Sequence, residues 1–163
     1  MGDYLDVWVF AEQKNGRIQP ISYELLGEGR KLSNTLNMSL CAVLFGHDIR
    51  DQVSVLTSRG ADRVHLVDRA ELAYFQDEPY ANVLAELIQR HKPAILLYGA
   101  TSIGRSLAPR VAITVNAGLT ADCTSLSIVK ETGNLLQRVY LWRQCYGVHH
   151  LPGLSAADGH GAP

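Results

Sequence analysis

Between residues 98 and 111 the chain reads YGATSIGRSLAPRV, directly after the apolar run PAILL. Gly99 and Gly104 free the backbone to turn, Thr101 and Ser102 supply hydroxyls, and Arg105 supplies a guanidinium. Where a helix begins at such a turn, its first N–H groups lack partners and its dipole favours negative charge. Gly99, Ala100, Thr101, Ser102, Gly104 and Arg105 are therefore the candidate anion-binding loop, of a kind that suits a phosphate. The same residues also have a plain structural role. Gly99 permits a tight corner, Thr101 or Ser102 caps the helix, and Gly104 lets that helix approach the sheet. The spacing is neither GxxxxGK[ST] nor GxGxxG, and spacing alone favours the structural role.

Little else in the sequence gathers into chemistry. His47, His65 and His91 are scattered, with no HExxH and no helical pair of ligands, so no metal site is assigned. Cys41, Cys123 and Cys145 are odd in number and lack metal-binding spacing, which points to a reducing, cytoplasmic setting. Asp6, Glu12, Asp48, Asp68 and Asp122 are acids near expected strand ends, where single carboxylates are common solvated caps. A small hydrolase using Asp122 or Cys123 would need a base, and none is visible. No catalytic residue is assigned.

These residues must be positioned by a fold, and 163 residues suffice for one domain with a proper core. A net charge of −1 with scattered basic residues excludes a nucleic-acid binder or a basic membrane-surface protein. No run reaches the roughly 18 apolar residues of a spanning helix, and the acidic N-terminus is unlike a signal peptide.

Strand-like runs alternate with helical patterns. Strands are predicted at 4–12, 39–46, 61–68 and 92–99, and helices at 22–37, 47–60, 78–91 and 101–116. Ser22 is the expected N-cap of the first helix, and Gly27 and Gly29 within it suit close packing. Gly60 closes the second helix, Pro79 starts the third, and Gly118 lies just past the fourth, which is expected to kink at Pro109. This alternation implies an α/β fold, a parallel-sheet Rossmann-like sandwich with helices on both faces. Such sheets bind ligands at the C-terminal edge of their strands. Four loops would share that rim: 11–16, 46–48, 68–69 and 98–104.

The block LLYGATSIGRSLAPRVAITVNAGLTADCTSLSI, with ETG beyond it, resembles the N-terminal domain of electron transfer flavoprotein alpha subunits. LLGEGRKLSNTL is similar to that domain's first helix and GADRVHLVD to its third strand. The resemblance covers roughly residues 4–136 and implies an adenine-nucleotide-hydrolase-like fold. It also implies a heterodimer with a beta subunit, carrying electrons from acyl-CoA or other dehydrogenases to an acceptor. The family holds its FAD in a separate C-terminal domain, absent here, so no cofactor is expected on this chain alone. In beta subunits the equivalent cleft holds AMP or a second FAD, whereas in alpha subunits it generally holds none.

The text after Leu136, QRVYLWRQCYGVHHLPGLSAADGHGAP, fits neither the family nor a strand period. The domain is therefore expected to span 1–136, followed by an atypical tail at 137–163. The codons for WRQCYG, entered one base later, allow Gly-Gly-Asn-Val-Met-Ala, which is the family's continuation, so a shifted reading frame is expected. The chain is then a redox-inactive scaffold domain, not an enzyme by itself, and its partner surface should make it self-associate in isolation. The competing reading is a small AMP- or FAD-binding module in which Thr101, Ser102 and Arg105 hold phosphate and the 46–48 loop lies near the sugar or base.

Overall fold

A computed structural model describes the backbone of residues 5–123, 125–128, 135–138 and 145–149, with side chains through residue 119. Its first strand, β1 (Val7–Ala11), is buried at every position. A short hairpin follows, β2 (Gln13–Lys14) with β3 (Arg17–Ile18), where the sequence shows only a turn or edge segment. Asn15 and Gly16, both at positive φ, make that turn. Then come α1 (Pro20–Leu36), β4 (Leu40–Gly46), α2 (Gln52–Ser58) and β5 (Arg63–Asp68). A single 3-10 turn, Ala70–Leu72, leads to α3 (Asp77–His91), β6 (Ile95–Gly99) and α4 (Ser102–Val115). The described strands beyond are β7 (Gly118–Cys123), β8 (Ser125–Ile128), β9 (Leu135–Arg138) and β10 (Cys145–His149).

The expected α/β architecture is present. The main sheet runs β5-β4-β1-β6-β10-β7, and β4, β1, β6 and β5 are mutually parallel. Strand alternation divides the interior into two cores. Trp8, Phe10, Val43, Phe45, Leu96 and Tyr98 face α3 and α4. Val7, Val9, Leu40, Ala42, Leu44 and Leu97 face α1 and α2. Because both faces are covered, β1 and β4 read as unbroken apolar runs rather than alternating ones.

Several local expectations change. Helix α1 starts at Pro20, two residues before Ser22, because proline tolerates the first helical position. Ser22 is not the N-cap; its hydroxyl is buried against the backbone of Glu12, donating to the carbonyl (3.3 Å) and accepting from the N–H (2.9 Å). Of the two glycines in α1, Gly29 packs close to Val9 and Leu40, while Gly27 has open space beside it. Helix α4 runs through Pro109 and ends at Asn116 in the left-handed region, and Gly118 opens β7. The strand β10 lies beyond the boundary drawn at 136. It pairs antiparallel with both β6 and β7, a position that its sequence, CYGVH, does not announce. Among the described residues no helix is long and apolar enough to cross a membrane.

At the opposite edge from the rim, three rings stack under the end of α3. His65 lies 4.6 Å from Trp8 and 4.7 Å from His91, centroid to centroid. Its Nε2 and Trp8 Nε1 are buried without a hydrogen-bond partner among the described residues. Burial first, then the charges of His91 and Arg63, hold His65 below its usual range, with Asp6 opposing. The unfolded chain therefore binds a proton here more readily than the folded one, and stability must fall as pH drops below about 6.5. A thermal-melt series from pH 7.5 to 5 should show this loss in the native chain and a shallower one in His65→Phe.

Candidate functional site

The chain leaves β1 for β4 on one side and returns to place β6 on the other, so the sheet's topological switch point lies between β1 and β6. Open α/β sheets offer their ligand crevice at that point. Here the two strand ends deliver Glu12 and the turn at Gly99–Thr101. Thr101 Oγ1 donates to Glu12 Oε1 at 2.7 Å and accepts from Gly104 N–H at 3.1 Å. The hydroxyl thus caps α4 and ties it to the end of β1. Glu12 is only 3% exposed. Burial raises its carboxyl above the ordinary range, and the Thr101 hydrogen bond offsets part of that rise.

The six loop residues come together, but much of their donor capacity is spent internally. Gly99 abuts Glu12 Oε1 and Ile21, where an added Cβ would sit 2.8 Å from each. Gly104 presses on the carbonyl of Gly99; a Cβ there would lie 1.8 Å from that oxygen. Arg105 is exposed and its Nε donates back to the carbonyl of Ala100 at 3.3 Å, while its N–H bonds Thr101 O. Ser102 is exposed beside the opening. The structural role of this turn is therefore realised atom by atom.

Above the turn is an open cleft of about 570 Å³. Its lining includes Glu12, Lys14, Ile21, Tyr74, Phe75, Thr101, Ser102 and Ile103. The hairpin β2–β3 forms one wall, and Gln13 ties it down by donating to the carbonyl of Ala73 at 3.2 Å. The other two rim loops stand apart from it. Asp68 accepts from Asp48 N–H at 2.8 Å, with His47 beside both carboxylates, and none of these residues lines the cleft. The 46–48 loop is thus not positioned as the wall of a nucleotide site at the Thr101 turn. Asp122, Cys123 and Cys145 have side chains outside the described set, and Cys41 is buried with its thiol pushed up to about 11, first by burial and then by Asp6. Among the described residues no three His, Cys, Asp or Glu side chains cluster as metal ligands.

A flavin or nucleotide pyrophosphate does not fit this turn. The floor beside the free end of α4 is a carboxyl, and the half-buried Thr101 hydroxyl already donates to it. Sequence pattern missed Glu12 as the organising residue, since its partner is 89 positions away. The only sequence signal is an acid immediately after a fully apolar strand.

Together these features define a doubly wound α/β domain whose switch-point turn is tied to the end of β1 by its own side chains. A family model described as "Electron transfer flavoprotein domain" matches residues 7–150, and the chain belongs to that family. The chain is 48% identical over 137 residues to the "Electron transfer flavoprotein subunit alpha" of Thermoanaerobacterium thermosaccharolyticum, covering 84% of the chain and 41% of that relative. It is 44% identical to "Protein FixB" of Rhizobium meliloti over 130 residues, covering 77% and 37%. It is 42% identical over 134 residues to "Lactate dehydrogenase (NAD(+),ferredoxin) subunit LctC" of Acetobacterium woodii, covering 82% and 32%. The chain thus spans well under half the length of these curated relatives.

Substitutions at three positions read out this geometry. Gly104→Ala should cost about 1–3 kcal/mol or more, because backbone meets the new methyl. Thr101→Ala should cost about 1 kcal/mol through the lost cap, and Thr101→Ser should restore most of it. Glu12→Gln should melt higher than the native chain at pH 7, since a raised acid withdraws stability above its unfolded range; the gap should close as pH approaches 4.5. A Glu12→Gln melt lower at both pH values would contradict the burial assignment.

Proposed function

We propose that this chain is the N-terminal scaffold domain of an electron transfer flavoprotein alpha subunit, holding a beta subunit and positioning a flavin domain. The observation that carries the reading is the Glu12–Thr101 tie. It takes the place where a nucleotide-binding relative of this fold would need free donors. The match across residues 7–150 and the alpha-subunit relative support the same reading. Electron flow from dehydrogenases to an acceptor, by way of FAD, belongs to the assembled flavoprotein. Cytoplasmic residence and redox silence of the chain alone belong to the same proposal.

The exposed apolar residues Leu5, Tyr74 and Ile113, at 63%, 72% and 83% exposure, are available for protein contacts. Co-expression with an electron transfer flavoprotein beta subunit tests the reading. A stoichiometric complex on size exclusion is expected, with the chain alone eluting larger than a monomer. Separate, monodisperse elution of both chains would refute it.

We also infer that residues from about 137 onward are read in a shifted frame. Sequencing the coding DNA decides this: an insertion or deletion near that point supports it, and an intact frame in independent isolates rejects it.

A further inference from the structure

The cleft at the switch point holds an unmet electrostatic demand. Glu12 is 3% exposed, and its carboxyl has one side-chain hydrogen bond, from Thr101. Among the described residues it forms no ion pair: the salt bridges lie elsewhere, on Asp6, Glu28, Asp48, Asp62, Asp68 and Glu71. Buried carboxylates are ordinarily paired, because an uncompensated charge in an apolar wall is costly. This one lines a cleft of about 570 Å³ that opens to solvent.

The walls fit a particular shape of group. Ile21, Phe75 and Ile103 offer apolar surface along the sides. Tyr74, 72% exposed, presents an aromatic ring to anything that approaches. A long aliphatic stem packs on such walls while its charged head reaches a polar floor. A guanidinium or ammonium also gains from an aromatic face. An anion gains nothing from a floor built of carboxyl.

We propose that the cleft receives a basic side chain, arginine or lysine, from the protein partner that packs on this rim, with Glu12 as its counter-charge. This rests on the reading of the chain as a partnered domain. It adds what that reading leaves open: where the partner inserts, and with which chemistry. Burial keeps the Glu12 carboxyl high in the unpartnered chain. An entering cation favours the ionised carboxylate and so opposes that rise. Lys14, exposed on the hairpin and part of the same lining, is the chain's own competitor for Glu12.

The test uses the full 163-residue chain. Its affinity for a beta-type partner subunit is measured for native, Glu12→Gln and Lys14→Met chains, with melting curves for each. Glu12→Gln is expected to weaken docking by about tenfold or more while melting no lower, since one desolvated charge pair is lost. In parallel, amide resonances of Gln13, Thr101 and Gly104 are followed with a capped Gly-Arg-Gly peptide, its citrulline counterpart and inorganic phosphate. The arginine peptide should shift them saturably and in a Glu12-dependent way, several-fold more strongly than citrulline. Equal shifts from both peptides, or a response to phosphate, would overturn the proposal. So would a Glu12→Gln chain that docks within twofold of native, and that result leaves the family partnership standing. A Glu12 carboxyl resonance that responds to Lys14→Met and not to the arginine peptide would assign the cleft to the chain's own lysine instead. If no partner subunit binds, the peptide arm alone decides the site, and it is the partnership that fails.

Discussion

One contact closes the architecture: the hydrogen bond from Thr101 to the buried carboxyl of Glu12. It joins the ends of the two strands that flank the switch point, where a doubly wound sheet is otherwise open. The same hydroxyl caps α4, so the start of that helix is fixed to the end of β1. Ser22 secures the other side of the corner by satisfying both backbone groups of Glu12. Gly99 and Gly104 are small because the corner leaves no room for a methyl. A change at any of these positions is felt by the others, as expected of a shared network.

The contact also sets what the rim can do. A helix N-terminus reached by Gly-Ala-Thr has the makings of an anion cradle. A carboxyl at hydrogen-bond distance from the turn's hydroxyl turns that cradle into a corner. The floor of the cleft then favours a positive group over a negative one.

Much of the fold was legible in the sequence because burial on both faces writes strands as continuous apolar runs. LCAVLFG is read correctly on that ground, and VWVFA on its aromatic and β-branched residues. Helix α3 is legible from its spacing, with Leu84 and Ile88 on the buried side. What pattern could not reveal depends on distant partners. Ser22 looks like a cap and is instead a clasp on Glu12, ten residues away. The hairpin β2–β3 has two-residue strands, too short to show a period. Strand β10 is placed by the free edges of β6 and β7, and CYGVH contains no alternation that predicts it. The turn at 99–105 was legible as a site with two open uses, and the position of Glu12 beneath it was not legible at all.

The most direct test of the central claim is equilibrium dialysis of the purified chain against AMP and against FAD, each at millimolar concentration. Neither should be retained above the level of free solution, because the turn's hydroxyl is committed and its floor is a carboxyl. Stoichiometric retention of either, lost in Thr101→Ala, would show that the turn cradles phosphate and that the Glu12 tie yields to it.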